Sequence, residues 1–259
     1  MFKNYFKIAL RNIFRHKTYS FINILGFGIG LACCLLISLW VYDELSFDKF
    51  HDDHENIYRA VLHQEYGGNQ QMEVAVTPGL LGPALLEEYP EVTNMTRYER
   101  LGQKELILDE EYAFDVDGAA VDPSFFQIFN FPLHSGSLSK FSNANNVIVL
   151  TQKAAQKIFK DANPIGKNLT ISFDKQYNVT VVGIMQDIPP ISHIEPGFLV
   201  PFKFYSPTSN NTEDWGSNRL TTYLKVQQGT VQEELETKIS GRIKEAIASC
   251  FRCLSAALR

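Results

Sequence analysis

The sequence predicts an α+β protein: an N-terminal amphipathic helix, one transmembrane helix, then a mixed α+β domain with a strand-rich insertion. Three observations predict it. Residues 18–42 carry no charge at all. The residues before them are basic, with apolar side chains at helical spacing. The rest alternates short β-rich runs with a few helix-period segments, punctuated by Gly and Pro turns. A length of 259 residues allows one large domain or two small ones. With 45% hydrophobic and 20% charged residues, the chain is not disordered, collagen-like or a disulfide-stapled miniprotein. A net charge of −5 also argues against a nucleic-acid partner.

The charge is unevenly placed. Lys3, Lys7, Arg11, Arg15 and Lys17 precede the uncharged stretch with no acidic residue among them. Residues 43–259 hold 19 basic against 29 acidic residues, a net of −10. Phe2, Tyr5, Phe6, Ala9, Leu10, Ile13 and Phe14 recur at helical spacing between the cations. Such a helix lies on the inner leaflet with its cations at anionic lipid, or docks a cytoplasmic partner subunit through Phe2, Phe6, Leu10, Arg11 and Phe14.

Thr18–Tyr42 supplies the roughly 20 apolar residues that span a bilayer. A lone span has to be helical, because its backbone must satisfy its own hydrogen bonds. Phe21, Gly26, Gly30, Leu36, Trp40 and Tyr42 mark it, the last two at the headgroup zone. Gly26 and Gly30 form a G-x-x-x-G that permits close helix packing, though glycine is common in such helices anyway. Gly26–Gly30 is no dinucleotide fingerprint, lacking the third glycine and the preceding strand. The positive-inside rule puts the N-terminus in the cytoplasm and everything after Tyr42 outside. A cleaved signal peptide is the rival, with Leu31-Ala32-Cys33-Cys34 resembling a lipoprotein box. The apolar run continues through LLISLWVY beyond that cut, which favours an uncleaved anchor.

Little in the sequence speaks for catalysis or a cofactor. His51-Asp52-Asp53-His54 has metal-ligand composition, yet such a cluster beside a membrane is ordinarily a solvated helix surface. Cys33 and Cys34 read as apolar filler, and Cys250-x-x-Cys253 lacks the second half of a zinc site. Asn94, Asn168, Asn178 and Asn210 start glycosylation triplets of the kind polar loops produce by chance. His63, His134 and His193 lie far apart, and no nucleophile elbow, zincin helix or phosphate loop is present.

Beyond the span, the helix is expected to continue to about Asp53. Ile57–Tyr66 and Gln70–Val76 read as strands around a Gly67-Gly68 turn. Pro78 opens a helix that Pro90 closes, and Val92–Arg100 is a strand. Lys104–Leu108 and Tyr112–Val121 flank the acidic turn Asp109-Glu110-Glu111. Residues 123–129 form a short aromatic helix or turn whose phenylalanines are core. Val147–Leu150 is a strand, and Thr151 caps a helix Gln152–Phe159. Asn163–Lys167 is a tight turn before the hairpin Leu169–Phe173 and Tyr177–Met185. Residues 203–219 read as loop, Leu220–Val226 as a strand. Val231, Leu235, Ile239, Ile243 and Ile247 mark a final amphipathic helix. The stretch after it is too short, and holds Arg252, to cross a membrane.

Three segments carry a family likeness: YDELSFDKFHDDHENIYRAV (42–61), VIVLTQKAAQKIFKDANPIGKNLTI (147–171) and YNVTVVGIMQDIPPISHIEPGFLVPF (177–202). With the basic amphipathic start, they resemble the MacB-like, FtsX-like permeases of ABC transporters, particularly those of Bacteroidota. The resemblance implies a bacterial inner-membrane protein with a periplasmic core domain. It implies a dimer working with a cytoplasmic ABC ATPase and often a periplasmic adaptor protein, acting on peptides, drugs, lipoproteins or partner enzymes. It divides the chain into a cytoplasmic helix (1–17), a span (18–42), a periplasmic domain (43–245) and an atypical tail (246–259). The domain comprises a porter-like part (56–100 and 147–245) and a strand-rich insertion (101–145). The resemblance implies three later membrane helices that this sequence does not contain, so the expectation is such a subunit or its N-terminal fragment. A stiff helical stalk from Asp43 to Tyr58, through Glu44, Phe47 and Phe50, is expected to carry motion to the domain. A single-pass binding or sensor module is the alternative, and a membrane-anchored enzyme the third reading.

Overall fold

The computed structural model describes residues 2–66, 70–206, 214–242 and 245, and the chain divides into two units, Met1–Asp48 and Lys49–Arg259. The first unit is α1 (Phe2–Arg15) and α2 (Lys17–Ser46), separated at His16 by a non-helical backbone. At 1.5 Å per residue, the 30 residues of α2 reach about 45 Å.

The expected helical stalk differs from what is observed. α2 stops at Ser46, Phe47 is extended, and Asp48 and Asp53 take left-handed φ values of 58° and 56°. A 3₁₀ turn follows at His54–Asn56. The physical reason lies in the charges. Asp43 and Glu44 fall at the negative end of the helix dipole with no cation in the last turn. The Ser46 hydroxyl donates to the Asp43 carbonyl instead of leaving it to the next turn. Aspartate is among the few residues that tolerate the left-handed region.

The second unit is built on strands. β1 (Ile57–Arg59), β2 (Leu62–Tyr66), β3 (Gln70–Val74) and β4 (Thr77–Pro78) come first. α3 (Leu81–Glu88), β5 (Val92–Leu108), β6 (Tyr112–Val121), α4 (Phe125–Ile128), β7 (Leu133–Gly136) and α5 (Leu138–Asn143) follow. Then come β8 (Val147–Thr151), α6 (Gln152–Phe159), β9 (Asn168–Ser172), β10 (Gln176–Met185), β11 (Phe198–Pro201), α7 (Phe202–Tyr205), β12 (Asn218–Val226) and α8 (Gln232–Ile239). The main sheet runs β1-β12-β5-β6-β11-β8-β10-β7, with β2 and β3 forming a separate ribbon. β9 pairs with both β10 and β5, so β5-β6-β11-β8-β10-β9 close into a ring. The separate strands expected at 92–100 and 104–108 are one strand, bulged between Arg100 and Gly102. The expected division at residue 101 therefore falls inside β5. The helix expected from Pro78 begins at Leu81, because Thr77 and Pro78 pair with β12 instead.

Alternation places two cores on the two faces of the ring. Leu106, Val116, Ile148, Ile171, Val181 and Phe198, one from each ring strand, belong to the inner cluster, to which α6 and α7 add Ile158, Phe159, Phe202 and Phe204. Their strand neighbours Val147, Val149, Val182 and Leu199 turn the other way, toward Phe125, Ile128, Phe129, Phe131 and Phe141. Thr151 caps α6 as expected, its hydroxyl accepting from the Ala154 N–H at 3.2 Å. Gly118 lets the Phe198 ring lie against the backbone, since a Cβ there would sit 2.0 Å from a ring carbon. Gly118→Ala should cost about 1–3 kcal/mol of stability through overpacking. Chemical denaturation of the purified chain checks it, and an unchanged midpoint would mean that the ring moves aside freely.

Candidate functional site

The first unit leaves its large apolar side chains exposed. Along α2 no side chain is buried, and Phe21, Leu36, Trp40 and Tyr42 stand fully out. The helix is long and apolar enough to cross a membrane. A Cβ on Gly26 or Gly30 would meet nothing within 4 Å, so that face is open. Cys33 and Cys34 are free thiols on the same helix. On α1, Phe6 and Phe14 are 69% and 67% exposed, and Arg11 is exposed. The side chains of Phe2 and Leu10 lie outside the described set, as do Cys250, Cys253, Ile243 and Ile247.

The segment that carries the chain into the second unit is pinned by an aromatic plug. His51 is only 3% exposed. Its ring lies 4.0 Å from Phe50, 5.0 Å from Phe129 and 5.1 Å from Phe131, centroid to centroid. Its Nδ1 accepts the Asn130 N–H at 3.1 Å, and Asp52 accepts from the Asn130 amide. Asp53 pairs with Lys225 at 2.8 Å on β12. The His54 ring donates to the His51 carbonyl at 3.2 Å. The metal-like composition of 51–54 thus serves packing, with His51 turned inward and the two aspartates paired to different elements. Of the expected stalk residues, Phe50 packs on this aromatic core and Tyr58 is half-buried on β1, paired with Leu224. Asp43, Glu44 and Phe47 remain exposed in the first unit.

A second polar group lies where β5, β12 and α7 meet. The Arg97 guanidinium donates to both oxygens of Asp122, at 2.9 and 2.8 Å, and sits 3.9 Å over the Phe202 ring. Glu99, on the same face of β5, accepts from Arg219 at 3.1 Å through Oε1, while its Oε2 is buried without a hydrogen bond. Burial pushes the Glu99 carboxyl above the ordinary glutamate range, against the pull of the Arg219 charge. Sequence alone did not single out Arg97, Glu99 or Asn130. Their partners lie 25, 120 and 79 residues away, and no local spacing signals such pairs.

The whole arrangement, an exposed apolar helix leading into a closed strand ring, can be set beside known proteins. The model of the MacB-like periplasmic core domain matches residues 20–242. The chain belongs to that family. A domain of a permease protein from Porphyromonas gingivalis is similar over 76% of this chain and 86% of its own, with 22% identity and a TM-score of 0.66. The periplasmic region of MacB from Actinobacillus actinomycetemcomitans is similar over 73% and 83%, with 16% identity and a TM-score of 0.54. The extracellular domain of the noncanonic ABC-type transporter YknZ from Gram-positive bacteria is similar over 70% and 88%, with 13% identity and a TM-score of 0.51. A comparison with curated proteins finds no match. At these identities the solved structures establish the fold, and it is the fold expected of a MacB-like core domain. The family is one of transporter permeases rather than a catalytic class, and an apolar N-terminal helix beside this domain fits a membrane-anchored protein.

Two outcomes test the site geometry. His51→Ala leaves the Asn130 N–H without its acceptor and opens a void among the phenylalanines, an expected loss of about 2–4 kcal/mol. Denaturant titration measures it, and a loss below about 1 kcal/mol would mean the plug is ornamental. For Glu99, the folded state holds the proton more tightly than the unfolded chain. This group's contribution to stability therefore falls as pH rises from the ordinary glutamate range upward through its raised folded value. The Tm of Glu99→Gln minus that of the parent should accordingly grow between pH 5 and neutrality. A pH-independent difference would contradict the raised value.

Proposed function

We propose that this chain is the permease subunit, or the N-terminal portion of one, of a MacB/FtsX-type ABC transporter. In this reading a separate cytoplasmic ATPase hydrolyses ATP, and the resulting motion passes through the membrane helix to the periplasmic domain. There it drives the export or extraction of a substrate such as a peptide, drug or lipoprotein. The observation that carries the reading is the single family match that spans α2 and the ring domain together. The orientation rests on charge: five cations and no anions before the span, and a net −10 after it. In this reading α1 lies at the cytoplasmic face of the bacterial inner membrane and the ring domain in the periplasm.

Within this reading α1 is the docking element. Its apolar arc, with Phe6 and Phe14, faces lipid or the ATPase, while Lys3, Lys7, Arg11 and Arg15 meet anionic headgroups. Gly26 and Gly30 offer the close approach that a second copy needs in a dimer. A periplasmic adaptor protein is the further partner of the assembled transporter.

The test is purification of the full chain from its native membrane in mild detergent with a non-hydrolysable ATP analogue. An ATP-binding subunit should accompany it, and Phe6→Glu with Phe14→Glu should reduce its recovery at least tenfold, the loss of about 1.4 kcal/mol of apolar contact. Recovery of the chain without any ATPase, under conditions that keep other membrane complexes intact, would favour a single-pass binding module instead.

A further inference from the structure

The ring domain is held to its N-terminal and C-terminal segments in two physically different ways. At the N-terminal side, His51 is buried in an aromatic cage and bonded to the Asn130 backbone. Apart from the Asp53–Lys225 ion pair, which salt screens, these contacts are short-ranged and indifferent to salt. At the C-terminal side, α8 buries a single side chain, Leu235. Ile239 touches only the margin of a small cluster formed by Leu81, Leu85, Val92 and Leu224.

The rest of the α8 attachment is polar and wet. Lys238 pairs with Glu91, and Arg242 grips both oxygens of Glu88. The Tyr89 hydroxyl donates to the Lys238 carbonyl at 3.2 Å, and the Arg242 guanidinium lies 5.2 Å from the Trp215 ring. Lys238 is 51% exposed and Glu88 40%. Both glutamates are held below the ordinary carboxylate range, first by the hydrogen bonds from these cations. Ion pairs this exposed are individually weak and are screened by salt.

The connection between β12 and α8 has the form of a hinge. Gln227 is fixed by two bonds, its N–H to the Glu91 carbonyl at 2.9 Å and its side chain to the Pro90 carbonyl at 2.8 Å. Gly229, two residues on, has φ +84° and open space around it. Gly241, after α8, has φ +89°.

We propose that α8, with Arg242 just beyond it, is an ion-paired clasp on the Glu88–Glu91 segment at the end of α3, and that it swings open about Gly229 as a unit while the aromatic plug around Phe50 and His51 stays shut. Its functional meaning rests on the permease reading: movement would be taken up on the α8 side, with the plug as the fixed point. The clasp itself is a property of the domain alone.

Hydrogen exchange read by mass spectrometry on the full chain in a non-ionic detergent tests it. In about 1 M sodium chloride the screening length falls to about 3 Å. The amides of Leu235–Ser240 should then exchange roughly three- to tenfold faster than at low salt. Those of β1, β12 and Phe129–Phe131 should hold their rates. Lys238→Ala with Arg242→Ala should reproduce the salt effect at low salt. Glu88→Arg with Arg242→Glu should restore protection. If α8 exchanges at one rate in all these conditions, or opens only together with β12, the clasp is overturned. The readout needs no ATPase, so the permease reading and the clasp fail separately.

Discussion

The ring depends on one strand pairing twice along its length. β5 gives its first part, Val92–Tyr98, to β12 and its far end, at Leu106 and Ile107, to β9, while β6 accompanies it from Tyr98 to Leu108. A regular 17-residue strand would run about 55 Å nearly straight, at 3.2–3.4 Å per residue, and could not serve both neighbours. The bulge at Arg100–Gly102, with Gly102 at φ +65°, bends it and adds twist. Closure then gives the ring an inside, and alternation on β8 and β11, with a register shift on β10 between Val181 and Gly183, divides the apolar side chains between the two cores. The parallel neighbours β8–β10 and β6–β11 are stable here because both of their faces are covered.

Local rules made part of this visible beforehand. β6, β8, α6 and its Thr151 cap follow from period, turn residues and one capping hydroxyl, all within a few residues. The strand was expected in two pieces, 92–100 and 104–108, because an isolated glycine in a strand signals a break and a bulge equally. β11 has only four residues and ends in Pro201, too little for a periodic signal, and β7 and α5 are largely polar with no period to detect. The helical stalk failed for an electrostatic reason: apolar content carries a helix as far as Ser46, but Asp43, Glu44 and Asp48 oppose its dipole. His51 was expected on a solvated helix surface, whereas it is buried and accepts an Asn130 backbone amide that only the tertiary fold supplies. Arg97–Asp122 and Glu99–Arg219 have the same origin.

The two units have different solvents in mind. An α2 with no buried side chain exposes an apolar surface far larger than a water-soluble monomer tolerates, so its partner is lipid or another membrane helix. The ring domain has the opposite character, with its large apolar residues inside and its acidic excess outside. Family membership joins these two chemistries in one chain, and neither unit alone accounts for the other.

The early end of α2 also constrains how any motion is passed on. A continuous helix would transmit bending and twist as a rod, because its hydrogen bonds are internal. Here the chain between Ser46 and Phe50 includes an extended Phe47 and a left-handed Asp48, which leaves free backbone dihedrals where a rod would have none.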